Sequence, residues 1–172
     1  MKKTLRIGLL VAMALLLAAA TGCTTTKPMV NQVPAQTDGY TDGSLPVLTG
    51  EALRAADEIT NAKIYFEFDR FDIKAESRQV LAHKAELLKR YPQIRVSIQG
   101  HCDARGTEEY NLALGERRAR AAYEFLTMSG VNPAQLEMIS KGKLEPAVSG
   151  SGESAWALNR RDEFIVLNPK QR

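Results

Sequence analysis

Eight residues, GHCDARGT from Gly100 to Thr107, gather a histidine, a cysteine, an aspartate and an arginine between glycines. Such a cluster could hold a metal, activate a thiol or bind a charged ligand without changing it. A zinc site is disfavoured by the spacing of its possible ligands. The chain has two histidines, His83 and His101, and two cysteines, Cys23 and Cys102, with no CxxC or HExxH spacing. A thiol nucleophile is disfavoured by strand parity. In QIRVSIQGHCD, Ile94, Val96, Ile98, Gly100 and Cys102 alternate with Arg95, Ser97, Gln99, His101 and Asp103. Cys102 therefore falls with the apolar set and reads as a small buried hydrophobe. There is no GxSxG, P-loop or GxGxxG. No catalytic residue, metal or cofactor is expected, which leaves a pocket for charge.

Two residues suit such a pocket. Asp103 sits where the strand gives way to a loop beside Gly106; it either anchors that loop or faces a ligand. Downstream, Arg117, Arg118 and Arg120 lie on one helical segment. Arg118 shares its stripe with Leu114, Ala121 and Phe125, so it points toward the core side. A cation there needs an anionic partner, from a structural salt bridge or from a ligand.

The elements that must position these groups alternate strand and helix. Lys63–Phe68 alternates as a strand, and Lys74–Tyr91 has a helical stripe of Val80, Leu81, Ala85 and Leu88 closed by Pro92. Gln93–Asp103 is the second strand. The helix that follows runs from Glu108, with Thr107 as its cap and Gly130 past its end. Pro133 after Asn132 starts a short helical turn, and LEMIS (136–140) and DEFIVL (162–167) are the last strands. His83 is expected on a solvated helix face. The expected fold is an α/β (α+β) sandwich, a small mixed β-sheet with helices packed on one face.

The chain start is a targeting segment. Lys2, Lys3 and Arg6 precede an apolar run from Ile7 to Ala20, about 14 residues and short for a bilayer span. AATGC then resembles a lipobox, with Ala20 where leucine is usual and Cys23 as the acylated residue. Residues 1–22 are read as a lipoprotein signal peptide and 23–56 as the lipidated cysteine and a flexible tether rich in Thr, Pro, Gly and Asp. Residues 57–172 form one domain. Without Lys2, Lys3 and Arg6, 20 basic residues face 20 acidic ones, so no basic field suggests nucleic acid. With Cys23 acylated, Cys102 has no disulfide partner.

VSIQGHCDARGTEEYNLALGERRARAAYEFL resembles the signature of OmpA-like peptidoglycan-binding domains, most closely the lipoprotein members of the Tol–Pal system. IYFEFDRFDI, GVNPAQLEMISKGKLEP and NRR support the likeness. The resemblance implies an outer-membrane lipoprotein, held by its lipid on the periplasmic face, that binds the peptide stem of peptidoglycan without cleaving it. It implies a TolB-like periplasmic protein as a second partner; the alternative is a paralogue that works without Tol partners. The stem's meso-diaminopimelate ends in an ammonium and a carboxylate on one carbon. The resemblance assigns the ammonium to Asp103 and the carboxylate to Arg118. Asn111, Phe68, Asp69, Gly100, His101 and Arg161, or its neighbour Arg160, are implied around them. The sequence departs from the family at Lys141, where tyrosine is usual, at Gly152 within GSGESAW, and at Asp162, where an apolar residue is usual. These departures leave Asp103 and Arg118 in place.

Overall fold

The computed structural model describes residues 44–168. The signal peptide, Cys23 and the first part of the expected tether lie outside the described residues. The elements run α1 (Gly50–Asn61), β1 (Ile64–Tyr65), α2 (Ala75–Arg90), β2 (Val96–His101), α3 (Glu108–Met128), a 3-10 turn (Pro133–Gln135), β3 (Leu136–Gly142), α4 (Glu153–Asn159) and β4 (Arg161–Val166).

One four-stranded sheet has the order β1-β4-β2-β3. β2 and β3 are parallel and joined by α3, while β4 lies antiparallel to both β1 and β2. The fold is α+β, as the alternation of patterns implied. Ile98 and Phe164 stand opposite each other in the β2–β4 register, and both are fully buried. Leu81, Leu88, Ala119, Ala122 and Leu126 from α2 and α3 close over them. Removing either large side chain would cost about 2–5 kcal/mol.

The domain begins earlier than position 57, where the sequence boundary was set. α1 occupies part of the expected tether. Its Ala52, Ala55, Ala56 and Ile59 recur at i, i+3, i+4 and i+7 and are buried in the core. α2 holds α1 in place through Lys84. Its buried ammonium donates to the Ile59 carbonyl and lies 4.3 Å from the Phe164 ring centre.

The expected strand at Lys63–Phe68 shortens to two residues, because the chain leaves the sheet after Tyr65. Phe66 N–H still donates to the Arg160 carbonyl at 3.0 Å. At the other end of the site, α3 approaches β2 closely. A Cβ on Gly100 would stand 2.0 Å from the Gly115 carbonyl oxygen, so only glycine allows this contact. Thr107 caps α3 by accepting from Tyr110 N–H at 3.2 Å, and Gly130 takes φ 91° past its end.

Candidate functional site

The end of β2, the loop after it and the first turns of α3 form one side of a pocket. The chain after β1 and the start of β4 form the other. The pocket has a volume of about 160 Å³ and brings together Phe68, Asp69, Asp103, Asn111 and Arg118. Five of the sequence-predicted residues thus share one cavity.

Gly100, His101 and Arg161 do not line it. Gly100 has no side chain to offer and serves the contact with Gly115. His101 and Arg161 both bond the Glu145 carbonyl, at 3.2 Å each. Alternation places them on the sheet face away from Ile98 and Phe164. Burial and the nearby Arg161 charge push the His101 imidazole down to about 4, so it is neutral at neutral pH. Of the two adjacent arginines, Arg160 is the one in the pocket.

Asp103 is almost fully buried and surrounded by cations. Its Oδ1 accepts from the backbone N–H and Nε of Arg105, both at 3.1 Å. Its Oδ2 accepts from Arg105 Nη2 at 2.5 Å and from Arg160 Nη1 at 3.3 Å. Burial alone would raise its pKa. The Arg105 hydrogen bonds outweigh that and hold the carboxyl below its usual range. Arg160 is itself fixed by the Phe66 carbonyl at 3.1 Å and by Glu153.

Arg118 is fully buried on the core side, where its stripe placed it. Its partners are not the expected anion. Nε donates to Arg70 O at 2.8 Å, Nη1 to His101 O at 2.8 Å and Cys102 Sγ at 3.5 Å, and Nη2 to Glu67 O at 3.2 Å. Three carbonyls and a thiol satisfy the guanidinium, so hydrogen bonding compensates a buried charge without a salt bridge. A guanidinium has five N–H groups. These four bonds leave one, on Nη2, for a ligand.

The rest of the pocket is held by short-range bonds. Asn111 Nδ2 donates to Arg105 O at 2.7 Å and Thr107 O at 2.8 Å, tying the loop to α3. Tyr110 donates to Asp69, which sits at φ 56°. Cys102 is buried, as its parity implied, and burial pushes its thiol up to about 11. It is therefore a poor nucleophile at neutral pH.

Sequence reasoning gave Arg105 and Tyr110 no role. Arg105 stood in plain view two residues after Asp103, but strand parity stops at the loop and cannot say where a loop side chain turns.

Asp162 is fully buried and in register with Gly100. Among the described residues, neither of its carboxyl oxygens has a hydrogen-bond partner. Lys141, by contrast, pairs with Glu145 at 2.7 Å on the surface. Gly152 takes φ 113° at the start of α4. Among the described residues, no cluster of histidine, cysteine or carboxylate side chains could hold a metal ion.

The OmpA family model matches residues 65–160, which span all of the pocket. The peptidoglycan-associated lipoprotein of Pseudomonas aeruginosa is 42% identical over 171 residues, covering 93% of this chain and 97% of that protein. The protein of the same name from Agrobacterium fabrum is 37% identical, covering 96% and 91%. In three dimensions, the peptidoglycan-associated lipoprotein from Burkholderia pseudomallei matches with a TM-score of 0.60 at 42% identity, over 60% of this chain and 88% of that one. The C-terminal domain of Helicobacter pylori MotB shares the fold, with a TM-score of 0.57 at 21% identity, over 61% of this chain and 83% of that one.

Proposed function

Because this chain belongs to the OmpA family, among its peptidoglycan-associated lipoproteins, we propose that its pocket grips the diaminopimelate side chain of a peptidoglycan peptide stem. The observation that carries the reading is that Asp103 and Arg118 line one cavity, with one Arg118 N–H left over after its four bonds. One buried anion and one buried cation at fixed separation suit a zwitterion better than either charge sign alone. Charge-assisted hydrogen bonds of this kind contribute about 1.5–3 kcal/mol each. Two of them supply about 3–6 kcal/mol, which corresponds to binding between the millimolar and the tens-of-micromolar range. Arg118 offers the carboxylate one N–H rather than a two-donor fork, so the rigid placement of its guanidinium carries the selectivity.

No bond is made or broken in this reading. The protein acts as a strap, with its Cys23 lipid in the outer membrane and its domain on the wall. Asn168 Nδ2 ties the chain to the domain at the Pro46 carbonyl, so the stretch from Cys23 to Pro46 could reach at most about 80 Å at roughly 3.5 Å per residue. The same membership supports a place in the Tol–Pal system, with a TolB-like periplasmic protein as partner during envelope constriction. A paralogue role without Tol partners would use the same pocket, and co-purification with TolB separates the two.

The test of the pocket is titration calorimetry of the protein with a diaminopimelate stem and, as control, a lysine stem. The lysine stem lacks the side-chain carboxylate. Binding to the diaminopimelate stem that is lost in Asp103→Ala, with little binding of the lysine stem, supports the reading. Equal binding of both stems, or of neither, overturns it.

A further inference from the structure

The place an ammonium would take on Asp103 is already filled, and by the chain itself. A carboxylate offers about four acceptor positions. On Asp103 all four are engaged: the Arg105 backbone N–H and Nε on Oδ1, and Arg105 Nη2 and Arg160 Nη1 on Oδ2. A ligand ammonium cannot bond Asp103 until one of these donors leaves.

The two arginines are not equally held. Arg160 is buried and bonded on three sides: to the Phe66 carbonyl, to Asp103 and to Glu153. The Arg105 side chain is 31% exposed. Its guanidinium is stacked between two rings, 3.9 Å from the centre of Phe68 and 4.1 Å from that of Trp156. Such stacking attracts the cation to the ring faces without dictating which carboxylate its N–H groups meet. A second carboxylate waits beside it, with Glu153 Oε2 4.0 Å from Arg105 Nη2. Glu153 is itself well exposed.

We propose that Arg105 sets the affinity of the pocket: its guanidinium is an internal stand-in for the ligand's ammonium on Asp103, and stem binding displaces it toward Glu153. This rests on the assignment of an ammonium to Asp103 made above. Binding is then an exchange of one cation for another. An intramolecular cation is present at high effective concentration. A bare ammonium therefore gains little by replacing it. A zwitterion that also reaches Arg118 gains a contact Arg105 does not make. The pocket thus rejects simple cations, because its own cation must first be outbid.

The experiment compares the wild-type protein with Arg105→Gln, titrated with the diaminopimelate stem and the lysine stem. Arg105 competes with both ammonium groups alike. Removing it should tighten both stems by a similar factor, about ten-fold, the order expected for one lost charge-assisted competitor. Trp156 is the only tryptophan of the chain. Its emission should change as wild-type protein saturates, when the guanidinium leaves the ring, and should change much less in Arg105→Gln. Glu153→Gln loosens Arg160 in either background, but should weaken binding more in the wild-type background than in the Arg105→Gln background.

Weaker or unchanged binding in Arg105→Gln overturns the proposal, as does a silent Trp156 during wild-type binding. Asp103→Asn separates this failure from a deeper one. If Asp103→Asn binds like wild type, the pocket assignment itself falls. If Asp103→Asn does not bind and Arg105→Gln gains nothing, only the role of Arg105 falls.

Discussion

Replacing Asp162 by leucine should stabilise the protein at neutral and alkaline pH. Asp162 is completely buried in β4, and among the described residues neither carboxyl oxygen has a hydrogen-bond partner. Burying an ionised carboxylate costs several kcal/mol. The compensating attraction comes from Arg118 and Arg161. A unit-charge pair at contact is worth about 4 kcal/mol at an effective dielectric of 20. Both guanidinium groups are already hydrogen-bonded to other acceptors, so neither closes on Asp162. Burial wins: it raises the Asp162 carboxyl well above the usual carboxylate range, against the pull of the two arginines. A group whose folded pKa is raised holds its proton in the folded state after the unfolded chain has lost it. Stability from this group is therefore full below the unfolded value of 3.8 and falls as pH climbs toward the folded value. Leucine has the same branched skeleton, with somewhat larger methyls in place of the oxygens, and no charge to desolvate. The expected gain for Asp162→Leu is about 1–3 kcal/mol at pH 8, shrinking by pH 4. Urea unfolding at the two pH values reads it, as a shift in midpoint of about 1 M for a typical slope. A variant that is less stable than wild type at pH 8 would mean that the Arg118–Asp162 attraction outweighs burial, and the reasoning fails.

Lys84 should show the opposite slope. Burial pushes its ammonium down to about 7. The unfolded chain keeps that proton up to about 10.4, so stability should rise with pH between about 7 and 10. Lys84→Met should remove the rise; a wild-type profile flat over that range in urea unfolding refutes it. Arg118→Ala should abolish stem binding and also cost about 3–5 kcal/mol of stability, because the Glu67, Arg70 and His101 carbonyls lose a shared buried donor. Calorimetry beside urea unfolding checks both, and lost binding at unchanged stability would show that Arg118 does not brace the fold.

Much of this arrangement is legible in the sequence, for reasons that particular residues show. Parity buried Cys102 and helical spacing turned Arg118 inward, because each lies on an element with a single periodic face against one core. The resemblance set His101 and Arg161 at the ligand, but parity puts them on the face away from Ile98, where the Glu145 segment returns and buries both. A one-residue choice between Arg160 and Arg161 then flips the side chain to the other side of the sheet. α1 carries a clear helical spacing of small residues, but it follows a tether whose composition spoke louder. α4 has seven residues, too few for a period to declare itself.

The two halves of the site differ in how they are held, and that difference explains what each can do. Arg118 is caged by backbone carbonyls, and carbonyls move only if the loops that carry them move. In the proposed reading its remaining N–H is a fixed point for the ligand's carboxylate. Asp103 is held by arginine side chains, and one of these, Arg105, is partly exposed and stacked rather than enclosed. A site made wholly of the first kind would be rigid and open to any carboxylate of the right reach. A site made wholly of the second kind would accept any cation able to outcompete an arginine. In the proposed reading, the rigid cation supplies geometry and the exchangeable one supplies a threshold, and a ligand satisfies both at one carbon.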